Sequence, residues 1–245
     1  MDLLVVGAGQ MGRWFGAAGP WTPTFVDLDP AVATAAAEAV AGADANPPTE
    51  ARFDAVCIAV PMSAAEEAIA AHAQRARRAI VDITGEMATA TATMATHAPE
   101  LERASFHPLF AASNAPGNIA VVVDNDGPTV QRMRSSLETA GNTIVETTPA
   151  EHDRAMETIQ AAAHTAVIAY GLAAAAEVPE GFATPISRTL EELVERVTSG
   201  DPTVYAEIQQ QFAGADRVAD AAARLADADP DTFVELYEAA SATRK

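Results

Sequence analysis

The sequence predicts an α/β fold, with a doubly wound, mostly parallel sheet in the N-terminal part and an all-helical C-terminal part. Three observations carry this expectation. Short apolar runs alternate with helix-like stretches as far as Thr147. A glycine-rich turn, Gly7-Ala8-Gly9-Gln10-Met11-Gly12, directly follows the first of these runs. Beyond Thr147 only helical patterns remain. Alternating strands and helices build a parallel sheet, because each crossover must carry the chain back to start the next strand in the same direction.

Leu3-Leu4-Val5-Val6 reads as a buried strand, and a short helix follows the glycine turn. Thr24-Phe25-Val26-Asp27 is the second strand, and the alanine-rich residues 30–41 are a helix. Residues 54–60 form another apolar strand, 63–77 a helix and 79–83 a strand. Further strands are expected at 104–107, 119–123 and 143–147, with a helix at 128–140 that stops at Gly141. Thr148-Pro149-Ala150-Glu151 then opens a helix: Thr148 can cap, Pro149 suits the first turn and Glu151 can complete a capping box. Asp201-Pro202 and Asp229-Pro230 repeat the cap-then-proline signal. The expected division is 1–148 and 149–245.

With 49% apolar residues in 245, the chain can bury a substantial core. It carries 34 acidic against 15 basic residues, a net charge of -19, and Lys245 is its one lysine. Such a surface repels nucleic acid and anionic membranes. It suits a salt-rich, halophilic cytoplasm, where screening lengths are short. A lone cysteine, Cys57, excludes an internal disulfide framework and reads as a buried small hydrophobe. No secretory pattern opens the chain, so a cytoplasmic location is expected. Residues 158–176 carry no formal charge, but Gln160, His164 and Tyr170 interrupt them. A helix buried between two subunits fits this stretch better than a membrane span. No metal is expected.

The glycine turn fits G-x-G-x-x-G between a strand and a helix, as binding of a dinucleotide requires. Gly7 permits the tight turn, Gly9 lets a pyrophosphate approach, and Gly12 lets helix and strand pack closely. Gln10 and Met11 open the helix whose N-terminus offers free N–H groups and partial positive charge. Asp27 lies at the end of the second strand, where a carboxylate can accept hydrogen bonds from the ribose hydroxyls. A 2′-phosphate would be repelled there, and neither Leu28 nor Asp29 offsets that charge, so NAD is expected over NADP. Together these features define a Rossmann domain. Val60-Pro61 and Thr84-Gly85 end their strands where they can border a nicotinamide.

Three further segments bear on the substrate. Ser105-Phe106-His107-Pro108 puts a histidine at the end of a late strand, placed for proton work. Glu151-His152-Asp153-Arg154 leads into a helix on which Glu157, Gln160, Ala161, His164 and Ile168 would share one face. Thr184-Pro185-Ile186-Ser187-Arg188 supplies one of few cations. Each residue could equally be structural: a satisfied histidine, a polar helix interface, a surface ion pair.

Taken in order, the glycine fingerprint, Asp82-Ile83-Thr84-Gly85, the His-Pro segment, the Glu-His-Asp…Gln…His helix and Pro-Ile-x-Arg resemble the prephenate dehydrogenase family from Met1 to about Gln211. The resemblance implies a homodimer with interlocked helical domains and oxidative decarboxylation of prephenate to 4-hydroxyphenylpyruvate, on the route to tyrosine. It implies that His107 takes the ring hydroxyl's proton, that Arg188 grips a carboxylate, and that His164 and Gln160 line the site; a neutral histidine near its ordinary pKa suits that base role. The family's serine after the Asp82 strand is replaced here, and Thr84, one place off, is the candidate to supply the hydroxyl beside His107. Arogenate dehydrogenase is the closest alternative. A β-hydroxyacid or imine-type reductase would place a lysine or aspartate on the long helix, which offers Gln160 and His164 instead. A non-catalytic NAD-binding protein would have no use for His107 and Arg188.

Overall fold

A computed structural model of the chain describes residues 1–174, 179 and 181–242. The end of the uncharged stretch, residues 175 and 176, and Lys245 lie outside the described residues. Contacts divide the chain into two compact units, Met1–Asp153 and Arg154–Lys245.

The first unit is built on one eight-stranded sheet. Its strands are β1 (Asp2–Val6), β2 (Thr22–Val26), β3 (Asp44–Ala45), β4 (Phe53–Ile58), β5 (Ala76–Asp82), β6 (Glu102–Pro108), β7 (Asn118–Asn125) and β8 (Thr143–Glu146). They lie in the order β3-β2-β1-β4-β5-β6-β7-β8. Every neighbouring pair is parallel except β6 and β7, which a short connection joins antiparallel. The helices of this unit are α1 (Gln10–Ala17), α2 (Pro30–Ala39), α3 (Ala65–His72), α4 (Ala88–His97), α5 (Pro128–Thr139) and the start of α6 (Pro149–Met156).

Strand side chains alternate between the two faces of the sheet. Leu3, Val5, Ala55, Cys57, Ala79 and Val81 join one buried cluster with Phe15 of α1, Ala33 of α2 and Met133 of α5. Leu4, Val6, Val56, Ile58 and Ile80 join a second with Ile69 of α3 and Met94 of α4. Both faces of the central strands are covered, which is why those strands read as continuous apolar runs. The doubly wound, mostly parallel sheet followed by helices is the expected fold.

Several details differ from the sequence reading. The helix expected over 63–77 ends at His72, and β5 begins at Ala76 rather than 79. Arg77 and Arg78 point to solvent within this strand and hide its start. Strand β3 and helix α4 were not expected. Alternating alanine and threonine in α4 give no helical period, and its start is fixed by carboxylates. Glu86 accepts from Thr89 N at 2.9 Å, and Asp153 accepts from Met87 N and Ala88 N at 3.1 Å each. At the start of α6, Thr148 caps Glu151 N at 3.2 Å. The Glu151 carboxylate accepts from the Thr147 hydroxyl instead of reaching back to Thr148.

Helix α6 runs directly into a π turn, Glu157–Ala162, and on into α7 (Ala163–Ala173). The regular face expected for Glu157, Gln160, Ala161, His164 and Ile168 is therefore broken. A π turn widens the ladder and leaves carbonyls in need of donors. Ala161 O accepts from Thr165 Oγ1 at 2.8 Å and from Gln209 Nε2 at 2.9 Å, which sustains the widened turn. The second unit continues with α8 (Pro185–Thr198), α9 (Pro202–Gln211), α10 (Ala215–Ala226) and α11 (Pro230–Ala242). Thr184 and Ser187 form a capping box on α8, and Asp201 caps α9. No helix among the described residues is long and apolar enough to cross a membrane.

Candidate active site

The glycine turn joins β1 to α1 at the carboxyl end of the sheet. Gly7 has φ +94°, a conformation glycine adopts without cost, and a Cβ there would run into the Ala59 carbonyl. Gly12 packs so closely that a Cβ would collide with Gly7 O. A Cβ on Gly9 would meet nothing within 4 Å, so the backbone there faces open space. No side chain caps α1, which leaves the N–H groups of Gln10 and Met11 uncommitted to a cap. Asp27 is tied to this turn: its Oδ2 accepts from Ala8 N at 2.8 Å and its Oδ1 from Asp29 N at 3.2 Å. Val60 lies against Gly7, and Pro61 is exposed beside it. An open turn at an uncapped helix start, with a carboxylate fixed at its rim, fits a nicotinamide dinucleotide.

His107 stands at the carboxyl end of β6, buried in the fold at 7% exposure. Its Nδ1 lies 2.8 Å from His152 Nε2, and His152 Nδ1 lies 2.8 Å from Asp153 Oδ1. The two imidazoles meet edge to face, at 74° and 5.0 Å between centroids. The other ring nitrogen, Nε2, faces Gly85, where a Cβ would lie 3.7 Å away. Burial, reinforced by the neighbouring His152, pushes the His107 pKa down to about 3, against an opposing pull from Asp153. The ring is therefore neutral at neutral pH, and the expectation of an ordinary pKa is corrected.

Thr84 does not partner His107. Its N and Oγ1 both donate to Asp82 Oδ2, at 2.9 and 2.6 Å, and Oγ1 also approaches Glu86 O at 3.2 Å. The threonine locks the Asp82 carboxyl beneath the turn, and the ring of His107 is held by His152 instead. Burial raises the Asp82 pKa to about 6, with the Thr84 hydrogen bonds opposing. Burial also raises the Glu86 carboxyl. Asp153 goes the other way: burial would raise it, but hydrogen bonds from His152, Met87 N and Ala88 N outweigh that and hold it low.

In the second unit, His164 packs edge-on against Tyr205 at 4.8 Å. Burial lowers its pKa. His164 Nδ1 and Gln160 Oε1 are buried and have no hydrogen-bond partner among the described residues. Arg188 is exposed on the first turn of α8 and takes part in none of the ion pairs among the described residues. A cation left unpaired in a strongly acidic chain is available to an anionic ligand. Among the described residues no group of three or more His, Cys, Asp or Glu is placed to hold a metal ion.

The glycine turn follows the carboxyl end of β1, and His107 stands at the carboxyl end of β6. His152 and Asp153, which the sequence shows only as part of the Glu151-His152-Asp153 motif, join the site in the structure. The adjacent His-Asp pair on a helix was the available signal.

No family model matches the chain. A curated relative, the 4-amino-4-deoxyprephenate dehydrogenase of Streptomyces pristinaespiralis, is 30% identical over 263 residues, spanning 96% of this chain and 88% of the relative. The chain belongs to the prephenate dehydrogenase family. Members of this family among solved structures share its fold. The Aquifex aeolicus prephenate dehydrogenase, solved with hydroxyphenyl propionate and NAD+, superposes with TM-score 0.73 at 12% identity, covering 100% of this chain and 97% of that one. The Synechocystis arogenate dehydrogenase gives TM-score 0.60 at 16% identity, covering 100% and 99%. A prephenate dehydrogenase family member is a nicotinamide-dependent oxidoreductase, and its substrate is a small molecule.

Proposed function

We propose that this dehydrogenase converts prephenate to 4-hydroxyphenylpyruvate with NAD, on the route to tyrosine, and that His107 is its proton acceptor. The observation that carries this reading is the His107 ring: neutral, fixed through Nδ1, with Nε2 turned toward Gly85, where the Met62 thioether also packs. A neutral Nε2 can accept a hydrogen bond from a ring hydroxyl and then its proton. Bound NAD would supply the hydride acceptor. Gly7, Gly9, Gln10, Met11 and Gly12 would hold its pyrophosphate, Asp27 its ribose, and Val60 and Pro61 would border its nicotinamide end. Arg188 would grip a substrate carboxylate, with His164 and Gln160 contributing polar contacts; their unpartnered buried atoms support this. Thr84 acts on this reading through Asp82, by fixing the turn that bears Gly85.

Asp27 supports NAD over NADP, because its carboxylate at the cradle would repel a 2′-phosphate. Exposed Ile159, Leu172 and Ile186 of the second unit support a homodimer through its helices. The charge of -19 supports a protein working in a salt-rich cytoplasm.

A second reading is favoured by the Streptomyces relative, whose substrate by name carries an amine in place of the ring hydroxyl. Both groups can donate to Nε2. The deciding experiment assays the purified protein with NAD or NADP against prephenate, arogenate and 4-amino-4-deoxyprephenate, following reduced nicotinamide and carbon dioxide. Prephenate with NAD should give the highest kcat/KM. Turnover confined to the ring-aminated substrate would install the second reading, and turnover of none would refute both.

A further inference from the structure

We infer that His152 and Asp153 are positioning residues that hold His107 as its Nδ1–H tautomer, with the Nε2 lone pair presented to substrate, and that accept positive charge when Nε2 is protonated. The inference rests on the reading of His107 as proton acceptor and assigns the groups that prepare it.

Asp153 Oδ1 accepts from Met87 N and its Oδ2 from Ala88 N, both at the N-terminus of the ten-residue helix α4. Free N–H groups and the partial positive charge of a helix start favour an ionised carboxylate. An ionised carboxylate only accepts, so the 2.8 Å contact to His152 requires the proton on His152 Nδ1. A His152 ring that carries a single proton then has its lone pair on Nε2, which must accept. The 2.8 Å contact to His107 then requires the proton on His107 Nδ1. The reversed order would set a lone pair of His152 Nδ1 against the carboxylate, which is repulsive. Each tautomer is thus assigned from the hydrogen-bond pattern, and each link follows from the one before. The chain ends at His107 Nε2, the nitrogen that faces Gly85.

The same order gives the proton a path. As the substrate O–H bond breaks, the Nε2–H bond of His107 forms. The Nδ1 proton of His107 is then shared with or passed to His152 Nε2, and the positive charge lies beside the Asp153 carboxylate. Bound NAD would supply the acceptor for the hydride of the ring carbon, and the carboxyl group would depart as carbon dioxide. The electron pair freed by decarboxylation ends on the ring oxygen, which takes its proton back along the same path. No net proton is consumed. Besides His152 and Asp153, the titratable groups on the adjoining turn are Asp82 and Glu86. Both are carboxyls raised by burial.

The test reads tautomers directly and does not need turnover. The chain has five histidines, so a long-range 15N–1H spectrum of the whole histidine-labelled protein at neutral pH is assignable with His107→Asn and His152→Gln. His107 and His152 should both appear as neutral Nδ1–H rings. An Nε2–H ring at His107 would overturn the proposal, and the wild-type spectrum decides this even if His152→Gln does not fold. In the folded variant, kcat should fall roughly tenfold or more with KM little changed, because misoriented protons impair the chemical step rather than binding. Its pH profile should also shift while that of a distant control, His97→Gln, does not. Unchanged kcat and pH profile in His152→Gln, with His107→Asn inactive, would remove the relay and leave the base assignment standing. Retained turnover in His107→Asn would instead remove the base assignment on which the relay's function depends.

Discussion

Replacing His107 by asparagine should change how stability depends on pH, and the size of the change follows from the fold. The ring's pKa is about 3 in the folded state against an ordinary 6.5. Below 6.5 the unfolded chain takes up this proton and the fold does not, so stability falls as pH falls toward 3. From pH 7 to pH 5 this one group should remove about 2 kcal/mol. Asp82 works in the opposite direction. Its carboxyl is raised to about 6 from 3.8, so the fold takes up a proton that the unfolded chain does not. Over the same interval it should return about 1 kcal/mol. From these two groups the unaltered protein loses about 1 kcal/mol between pH 7 and 5, and His107→Asn gains about 1 kcal/mol. Contributions of groups remote from His107 cancel in the difference of about 2 kcal/mol. Urea unfolding followed by the fluorescence of Trp14 and Trp21 measures it, since both tryptophans belong to the same unit as His107. Parallel stability curves for the two proteins across this range would refute the claim that His107 is buried neutral.

Gly12→Ala should weaken NAD binding by at least about tenfold and lower stability by about 1–3 kcal/mol, because the added methyl collides with Gly7 O; calorimetric titration and thermal melts measure both. Asp27→Ser combined with Leu28→Arg should shift the kcat/KM preference toward NADP, and an unaltered protein already preferring NADP would reject the ribose argument. Arg188→Ala should chiefly raise KM, at a cost of roughly 1.5–3 kcal/mol for a lost charge-assisted contact, with the melting temperature unmoved because the residue is exposed. Melting temperature should rise from dilute to molar potassium chloride as the acidic surface is screened; a flat response would reject the salt-adapted reading.

The central sheet was legible because its strands are buried on both faces and so appear as uninterrupted apolar runs, as at Val56–Ile58 and Ile80–Val81. The cofactor cradle was legible because local backbone geometry demands glycine at set positions, and Gly7 and Gly12 meet that demand. Helix α4 was not, since its start depends on Asp153, which is remote in sequence. The π turn before His164 was hidden for the same reason, being sustained by Gln209 from another helix. His152 shows the limit most clearly. A histidine–aspartate pair is visible in the sequence, but its placement on His107 depends on how α6 packs against the end of β6. The low pKa of His107 is likewise a product of burial and of that partner, neither of which local sequence encodes.

On this mechanism hydride leaves the ring carbon of a prephenate-type substrate while His107 holds the hydroxyl proton. Prephenate deuterated at the carbon bearing the hydroxyl, incubated with NAD and the protein, tests it most directly by mass spectrometry of the products. The expected result is one deuterium in the reduced nicotinamide, 4-hydroxyphenylpyruvate free of that label, and neither product from His107→Asn above about a hundredth of the unaltered rate. Unlabelled reduced nicotinamide, or full turnover by His107→Asn, would contradict it.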